Sequence, residues 1–83
     1  MITRDSIEAA YCFFHQKERV YAYSTMPSQR DDIEYIISSY SESMSSELYE
    51  TLAKDRGDYL RNHATFHSDI KDALLQLDMM MER

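Results

Sequence analysis

Residues 58–82, DYLRNHATFHSDIKDALLQLDMMME, decide the fold that the sequence predicts. Apolar residues and histidines recur along this stretch at alternating spacings of three and four positions. The recurring positions are Leu60, His63, His67, Ile70, Leu74, Leu77 and Met81. Such alternation is typical of a heptad seam on one face of a helix. It predicts a long final helix over 58–82, part of whose seam would need a second chain to cover it.

The rest of the chain favours an all-α fold around that helix. Only one glycine and one proline are present, and sheets with tight hairpins usually need more turn residues. The apolar spacing predicts four helices, over about 5–23, 29–43, 46–56 and 58–82. Pro27 falls in the linker before the second helix, and Gly57 suits the left-handed position that often follows a helix, here the third. We therefore expect a small four-helix bundle in a single domain, 1–83, with one short helix, a long C-terminal helix and a dimeric state.

Length, charge and cysteine content limit the class of protein. A chain of 83 residues buries only a thin core, which favours association with a partner chain. Cys12 is the only cysteine, so a disulfide within the chain is excluded and a reducing compartment is favoured. The opening residues carry acid early, and no stretch approaches the roughly 20 apolar residues that span a bilayer. We expect a cytoplasmic protein with no signal peptide and no membrane contact. The net charge of −6 suits a general grip on nucleic-acid phosphates poorly.

The two histidines of HATFH, residues 63–67, admit a structural and a metal-binding interpretation. On a helix, their spacing of four places His63 and His67 on one face. As structural residues they would hydrogen-bond to the tyrosines and carboxylates that the chain supplies in number. As metal ligands they would need a third donor, for which His15 or Cys12 is the candidate. Position 64 is alanine, so the HExxH pattern of metalloproteases is absent. The structural interpretation is preferred, and no metal or cofactor is predicted.

Residues 46–67 suggest a different function, DNA binding. The segment AKDRG (53–57) resembles the turn of helix-turn-helix proteins, and Leu52 and Phe66 stand where that family has apolar side chains. Three residues depart from the family's apolar pattern: Arg56, Asp58 and His63. The resemblance implies a recognition helix that presents Arg61, Asn62, Thr65 and His67 to base edges. A DNA-binding regulator is therefore the alternative function.

The sequence favours a binding module over an enzyme. It contains no Gly-rich phosphate loop, no GxSxG elbow and no CxxC pair. Cys12 and His15 are spaced like a thiol–imidazole pair on one helix, but Cys12 lies in AAYCFFH, where a small buried cysteine is expected. We expect a non-enzymatic protein–protein interaction module, a small cytoplasmic regulator or adaptor whose partner is a second copy or another protein. The residues expected to bind that partner are Leu74, Leu77, Met80, Met81, Tyr21 and Tyr23.

Overall fold

The computed structural model describes residues 2–82, which form four helices and contain no β-strand. The helices are α1 (Arg4–Tyr23), α2 (Pro27–Ser43), α3 (Ser46–Ala53) and α4 (Phe66–Met81). The all-α prediction, with four helices packed together and a short third one, is confirmed. Within this described part of the chain, none of the helices combines the length and the apolar character that crossing a membrane requires.

Each of the first three helices begins at a residue suited to that position. Thr3 caps α1, because its hydroxyl accepts the Ser6 amide while the Ser6 hydroxyl accepts the Thr3 amide. Pro27 opens α2, where its missing N–H costs nothing. Ser45 caps α3 by accepting the amide of Leu48 at 3.2 Å.

Helix α1 contacts both α2 and α4, while α3 packs against α4. Near the middle of α1, the ring of Phe13 stacks on that of Tyr40, close to the end of α2, with centroids 4.0 Å apart. Tyr21, near the end of α1, reaches Glu34 in the first half of α2. The two helices are therefore antiparallel. The Tyr21 ring also lies 5.3 Å from that of Phe66, so the end of α1 meets the start of α4.

The core lies along the contact between α1 and α4, and α2 and α3 extend it. Its largest fully buried side chains are Tyr59, Phe14, Phe66, Ile37, Leu48, Leu52, Leu60, Ile70 and Leu77. Full burial of an apolar side chain of this size contributes about 1.5–3 kcal/mol to folding. Two of these residues, Tyr59 and Leu60, come from no helix at all. They belong to the connecting segment, residues 54–65, which joins α3 to α4.

The prediction that the final helix begins at residue 58 is wrong, because the connecting segment turns instead of continuing as a helix. Helix α3 ends at Ala53, and Lys54 and Asp55 then adopt left-handed φ angles of 53° and 66°. Leu60 is also left-handed, at φ 60°. Gly57, which the sequence placed in the left-handed position, does not occupy it. Backbone reversals of this kind cannot belong to an α-helix, so α4 begins only at Phe66.

The connecting segment is fixed by the buried carboxylate of Asp69, in the first turn of α4. That carboxylate accepts hydrogen bonds from the Arg56 guanidinium at 3.1 Å, the Thr65 hydroxyl at 3.1 Å and the Leu60 amide at 3.4 Å. The hydroxyl of Tyr59 donates to the backbone carbonyl of Asp69 at 2.9 Å. A left-handed bulky residue costs roughly 1–2 kcal/mol. In Leu60 this cost is offset by the amide hydrogen bond and by complete burial of the side chain.

Candidate functional site

The histidines of HATFH lie in different structural elements and face different helices. His63 is in the connecting segment, and its Nδ1 lies 2.6 Å from Oε2 of Glu34 on α2. His67 is in the first turn of α4, and its Nε2 lies 2.9 Å from Oε1 of Glu18 on α1. The shared helix face that their spacing indicated does not form, because the helix begins between them. Each imidazole instead joins its own segment to a carboxylate on another helix.

The three histidines considered as metal ligands are not brought together. His15 lies on α1, where its ring stacks on Tyr11 with centroids 5.7 Å apart. A different set converges within residues 2–82: ligand atoms of Asp31, Glu34 and His63 lie within 4.8 Å of one another. The two carboxylates escaped the sequence analysis because their proximity to His63 depends on the path of the connecting segment.

The recognition helix implied by the helix-turn-helix resemblance is not formed. Residues 54–65 separate α3 from α4, whereas that motif joins its helices by a turn of about 3–4 residues. Arg61, Asn62 and Thr65 lie in the connecting segment. The side-chain Oδ1 of Asn62 accepts the backbone amide of Ala64 at 3.0 Å, and the Thr65 hydroxyl donates to Asp69. His67 does lie on α4, where its Nε2 contacts Glu18.

The residues expected to bind a partner differ in how far they reach the surface. Leu77 is fully buried and Tyr21 nearly so, and the hydroxyl of Tyr21 donates to Glu34 at 2.9 Å. Three half-buried residues pack against the core: Leu74, Met80 and Met81. Tyr23 is 81% exposed. Most of the predicted seam is therefore covered within one chain, and Tyr23 is the predicted partner residue that stands free on the surface.

The second half of α1 and the start of α2 form the walls of an open groove of about 710 Å³, which we name the α1–α2 groove. Its residues recur at helical spacing on both walls, because each helix turns one face towards it. They are His15, Gln16, Arg19, Val20, Tyr23 and Ser24 from α1 and its end, and Gln29, Asp32 and Ile33 from α2. Val20 is 49% exposed and stands beside Tyr23, so two large apolar surfaces remain in water at this end of the molecule.

The two walls of the groove carry charges of opposite sign. Arg19 lies on the α1 wall and Asp32 on the α2 wall, and both side chains are exposed. Across residues 2–82, neither forms a hydrogen bond or ion pair. The groove thus combines exposed apolar side chains with a free cation and a free anion, which is the composition of a protein-binding surface with a polar rim.

The chain has been compared with known proteins. No protein-family model, curated protein or solved structure matches it. The geometry of the α1–α2 groove and of the Asp31, Glu34 and His63 cluster therefore carries the functional argument.

Two buried tyrosines act as neutral hydrogen-bond donors between elements of the fold. Burial raises the pKa of the Tyr21 hydroxyl, and its hydrogen bond to Glu34 raises that pKa further. Burial, together with the nearby charge of Asp69, raises the pKa of Tyr59 well above its ordinary value. Both hydroxyls consequently stay protonated at neutral pH, and each donates a hydrogen bond that fixes an acceptor on another element.

The cysteine that the sequence placed in the core is on the surface. Cys12 is exposed, because the buried face of α1 is formed by Ile7, Ala10, Phe14 and Tyr21 instead. The neighbouring imidazole of His15 stacks on Tyr11, and among the described residues no hydrogen bond joins it to the thiol. A thiolate activated by a hydrogen-bonded imidazole is therefore not present in this arrangement.

Proposed function

We propose that the chain is a non-enzymatic protein–protein interaction module, and that it self-associates through the α1–α2 groove. One observation carries this proposal: exposed Val20 and Tyr23 stand beside the free charges of Arg19 and Asp32 in the same groove. Tyrosine is favoured at interface centres because it buries a large area while losing little side-chain freedom.

The charge pattern favours a second copy of this chain as the partner. In a two-fold dimer the same surface of both copies meets. We place the two-fold axis along the groove, so that a residue on one wall faces the other wall of the partner. Arg19 of one copy would then lie against Asp32 of the other, twice over. Such a patch is self-complementary in charge, although the chain as a whole carries −6.

The apolar part of the groove supplies the binding energy in this proposal. Tyr23 of one copy would enter the other copy's groove beside Val20, and both of these exposed side chains would leave water. Burial of apolar area stabilises an interface by about 25 cal/mol per Å² before the cost of association. Ile36 is 40% exposed one turn beyond Ile33 on α2, and extends the apolar area along that helix.

A regulator or adaptor of the cytoplasm is the biological class that we infer for such a module. The single cysteine supports a reducing compartment, in which an exposed thiol such as that of Cys12 stays reduced. A small surface that pairs two copies is enough for an adaptor. A dimer presents two binding sites, and this bivalency alone raises its avidity for a target that both copies can engage.

Light scattering behind size exclusion, between about 5 and 500 μM protein, tests the self-association directly. We expect the mass to rise from 9.9 kDa towards twice that value as concentration increases. Tyr23→Ala should weaken the dimer about tenfold or more. Tyr35→Ala is the matched control, because Tyr35 is similarly exposed on α2 but lies outside the groove. A mass of 9.9 kDa throughout the range would refute the proposal.

A charge exchange tests which residues meet in the dimer. Arg19→Asp should weaken it about tenfold, because two like charges would then face each other, and Asp32→Arg should do the same. The double variant restores opposite charges and should recover most of the lost affinity. If the single variants dimerise as well as the original chain, the α1–α2 groove is not the interface.

A further inference from the structure

We propose that Asp31, Glu34 and His63 form a binding site for a divalent transition-metal cation, with zinc the ion that suits these donors best. The site joins two separate parts of the chain, since both carboxylates are on α2 and the imidazole is in the connecting segment. The three ligand atoms already lie within 4.8 Å of one another. This site is independent of the α1–α2 groove and of the self-association proposed for it.

The backbone brings the three donors to one place. Asp31 and Glu34 are three residues apart on α2 and therefore lie on the same face of that helix. The connecting segment passes over this face because the Ser38 hydroxyl donates to the Leu60 carbonyl at 3.2 Å. His63 follows three residues later, with its Nδ1 2.6 Å from Oε2 of Glu34.

A zinc ion fits these distances after small side-chain movements. Bonds of 2.0–2.1 Å in tetrahedral geometry place zinc ligands about 3.3 Å from one another. The imidazole of His63 is 77% exposed, and Asp31 is also exposed, so both can rotate by the ångström or so that is needed. The metal would replace the direct contact between His63 and Glu34 by two bonds to itself.

A hydrogen bond to its other oxygen orients the Glu34 carboxylate, as is usual for metal-binding carboxylates. Its side chain is only 12% exposed, and its Oε1 accepts the Tyr21 hydroxyl at 2.9 Å, which leaves Oε2 directed at His63. A second layer of hydrogen bonds of this kind orients a ligand and increases metal affinity. Arg30, which lines a cavity with these three residues, is engaged elsewhere, since its Nε donates to the Ser24 carbonyl and its guanidinium lies over the Tyr21 ring.

The donor set determines which ion the site would prefer, and an open cavity beside it gives that ion access. One imidazole nitrogen with two carboxylates favours zinc and its neighbours over magnesium and calcium, which prefer oxygen ligands alone. Asp31, Glu34 and His63 also line an open cavity of about 570 Å³ beside Tyr21 and Arg30. An ion can enter through this opening, and a water molecule can complete its coordination as the fourth ligand.

Thermal unfolding with zinc chloride tests the site, with every variant in the Cys12→Ser background so that the exposed thiol does not bind the metal. Zinc at saturation should raise the melting temperature by about 5 °C or more, because it links the connecting segment to α2 only in the folded state. His63→Gln should abolish this rise. His67→Gln is the matched control, because His67 also contacts a carboxylate, Glu18, but belongs to no three-ligand cluster among residues 2–82.

Calorimetric titration gives the second readout. We expect one zinc ion per chain, and an affinity that falls about tenfold or more in Asp31→Asn, a substitution at an exposed side chain. Magnesium at the same concentration should produce no heat of binding and no thermal shift. The absence of a zinc-dependent rise, or a rise that survives both His63→Gln and Asp31→Asn, would overturn the proposal.

Discussion

The guanidinium of Arg56 donates a hydrogen bond of 3.1 Å to the buried carboxylate of Asp69, and this pair ties the connecting segment to the start of α4. The same guanidinium lies 4.6 Å above the Tyr59 ring, and its Nε donates to the Ala53 carbonyl. Arg56 thus links the end of α3, the connecting segment and α4. Since the segment also carries His63, the position of the proposed metal ligand depends on this arrangement.

Replacement of Asp69 by alanine should destabilise the protein by about 2–3 kcal/mol, because the buried Leu60 amide and the Thr65 hydroxyl would lose their acceptor. Urea unfolding followed by circular dichroism measures this loss. Asp72→Ala is the control, since Asp72 is half-exposed and lies 3.8 Å from Arg56, and we expect a change below about 0.5 kcal/mol. Equal losses in the two variants would contradict the anchoring role of Asp69.

The sequence predicts helices well where local signals define them. The apolar spacing over 29–43 places the end of α2 correctly, although Pro27, which the sequence put in the linker, already opens the helix two residues before the predicted start. Apolar spacing reports which side chains are buried, however, and not the path of the backbone. Leu60 is buried as its place in the seam required, but it reaches the core from a left-handed turn. The tertiary contact with Asp69 and the burial of the Leu60 side chain make that turn favourable, and no local sequence pattern predicts it.

The sites were harder to predict than the helices for the same reason. Tyr23 could be singled out from the sequence, and it is on the surface. Its neighbours Arg19 and Asp32 belong to different helices, so their meeting depends on how α1 packs against α2. The sequence indicates His63 as a possible ligand, but its proximity to Glu34 depends on the path of the connecting segment over α2.

Alkaline pH should destabilise the protein through Tyr59. The pKa of this hydroxyl is raised in the folded state, chiefly by burial, above the 10.0 of an exposed tyrosine. Its contribution to stability is therefore complete below pH 10 and is lost as the pH rises, because the unfolded chain releases the proton first. The loss approaches about 1.4 kcal/mol per pH unit for one such group. Urea unfolding between pH 8 and 11 measures this slope.

Substitution at Tyr59 separates its share of the alkaline slope from that of other groups. Tyr59→Phe should lower stability by about 1 kcal/mol at neutral pH, because the hydrogen bond to the Asp69 carbonyl is lost. It should also flatten the decline above pH 10. Tyr35→Phe, at an exposed position on α2, should leave both the stability and the slope unchanged. A slope that is equally steep in Tyr59→Phe would show that the decline has another origin.

Replacing a leucine by alanine should change the stability of the protein very differently on two adjacent faces of α4. Leu77 is fully buried, so Leu77→Ala should cost about 2–5 kcal/mol through lost burial and the cavity left behind. Leu75 is 59% exposed, and Leu75→Ala should change stability by less than about 0.5 kcal/mol. Denaturant unfolding at low protein concentration, where a dimer does not contribute, gives both values. A comparable cost at the two positions would mean that the seam is not covered within a single chain.

The end of α3 offers a test of the backbone path itself. Lys54 is left-handed at φ 53°, so Lys54→Gly should stabilise the protein by roughly 0.5–1 kcal/mol, because glycine has no Cβ to crowd the following carbonyl oxygen. Gly57 is not left-handed, and a Cβ added there would meet no atom within 4 Å. Gly57→Ala should therefore raise stability by about 0.4–1 kcal/mol, because it restricts the unfolded chain.

These two glycine exchanges distinguish the observed turn from the one that the sequence suggested. If Gly57 followed a helix ending at residue 56, Gly57→Ala would destabilise the protein, and Lys54→Gly would weaken a helix interior by about 1 kcal/mol. Because α3 ends at Ala53, we expect the opposite: Gly57→Ala and Lys54→Gly should each stabilise the protein. Melting temperatures of the two variants and of their combination decide the matter. The effects should be close to additive, since the side chains at 54 and 57 share no interaction partner.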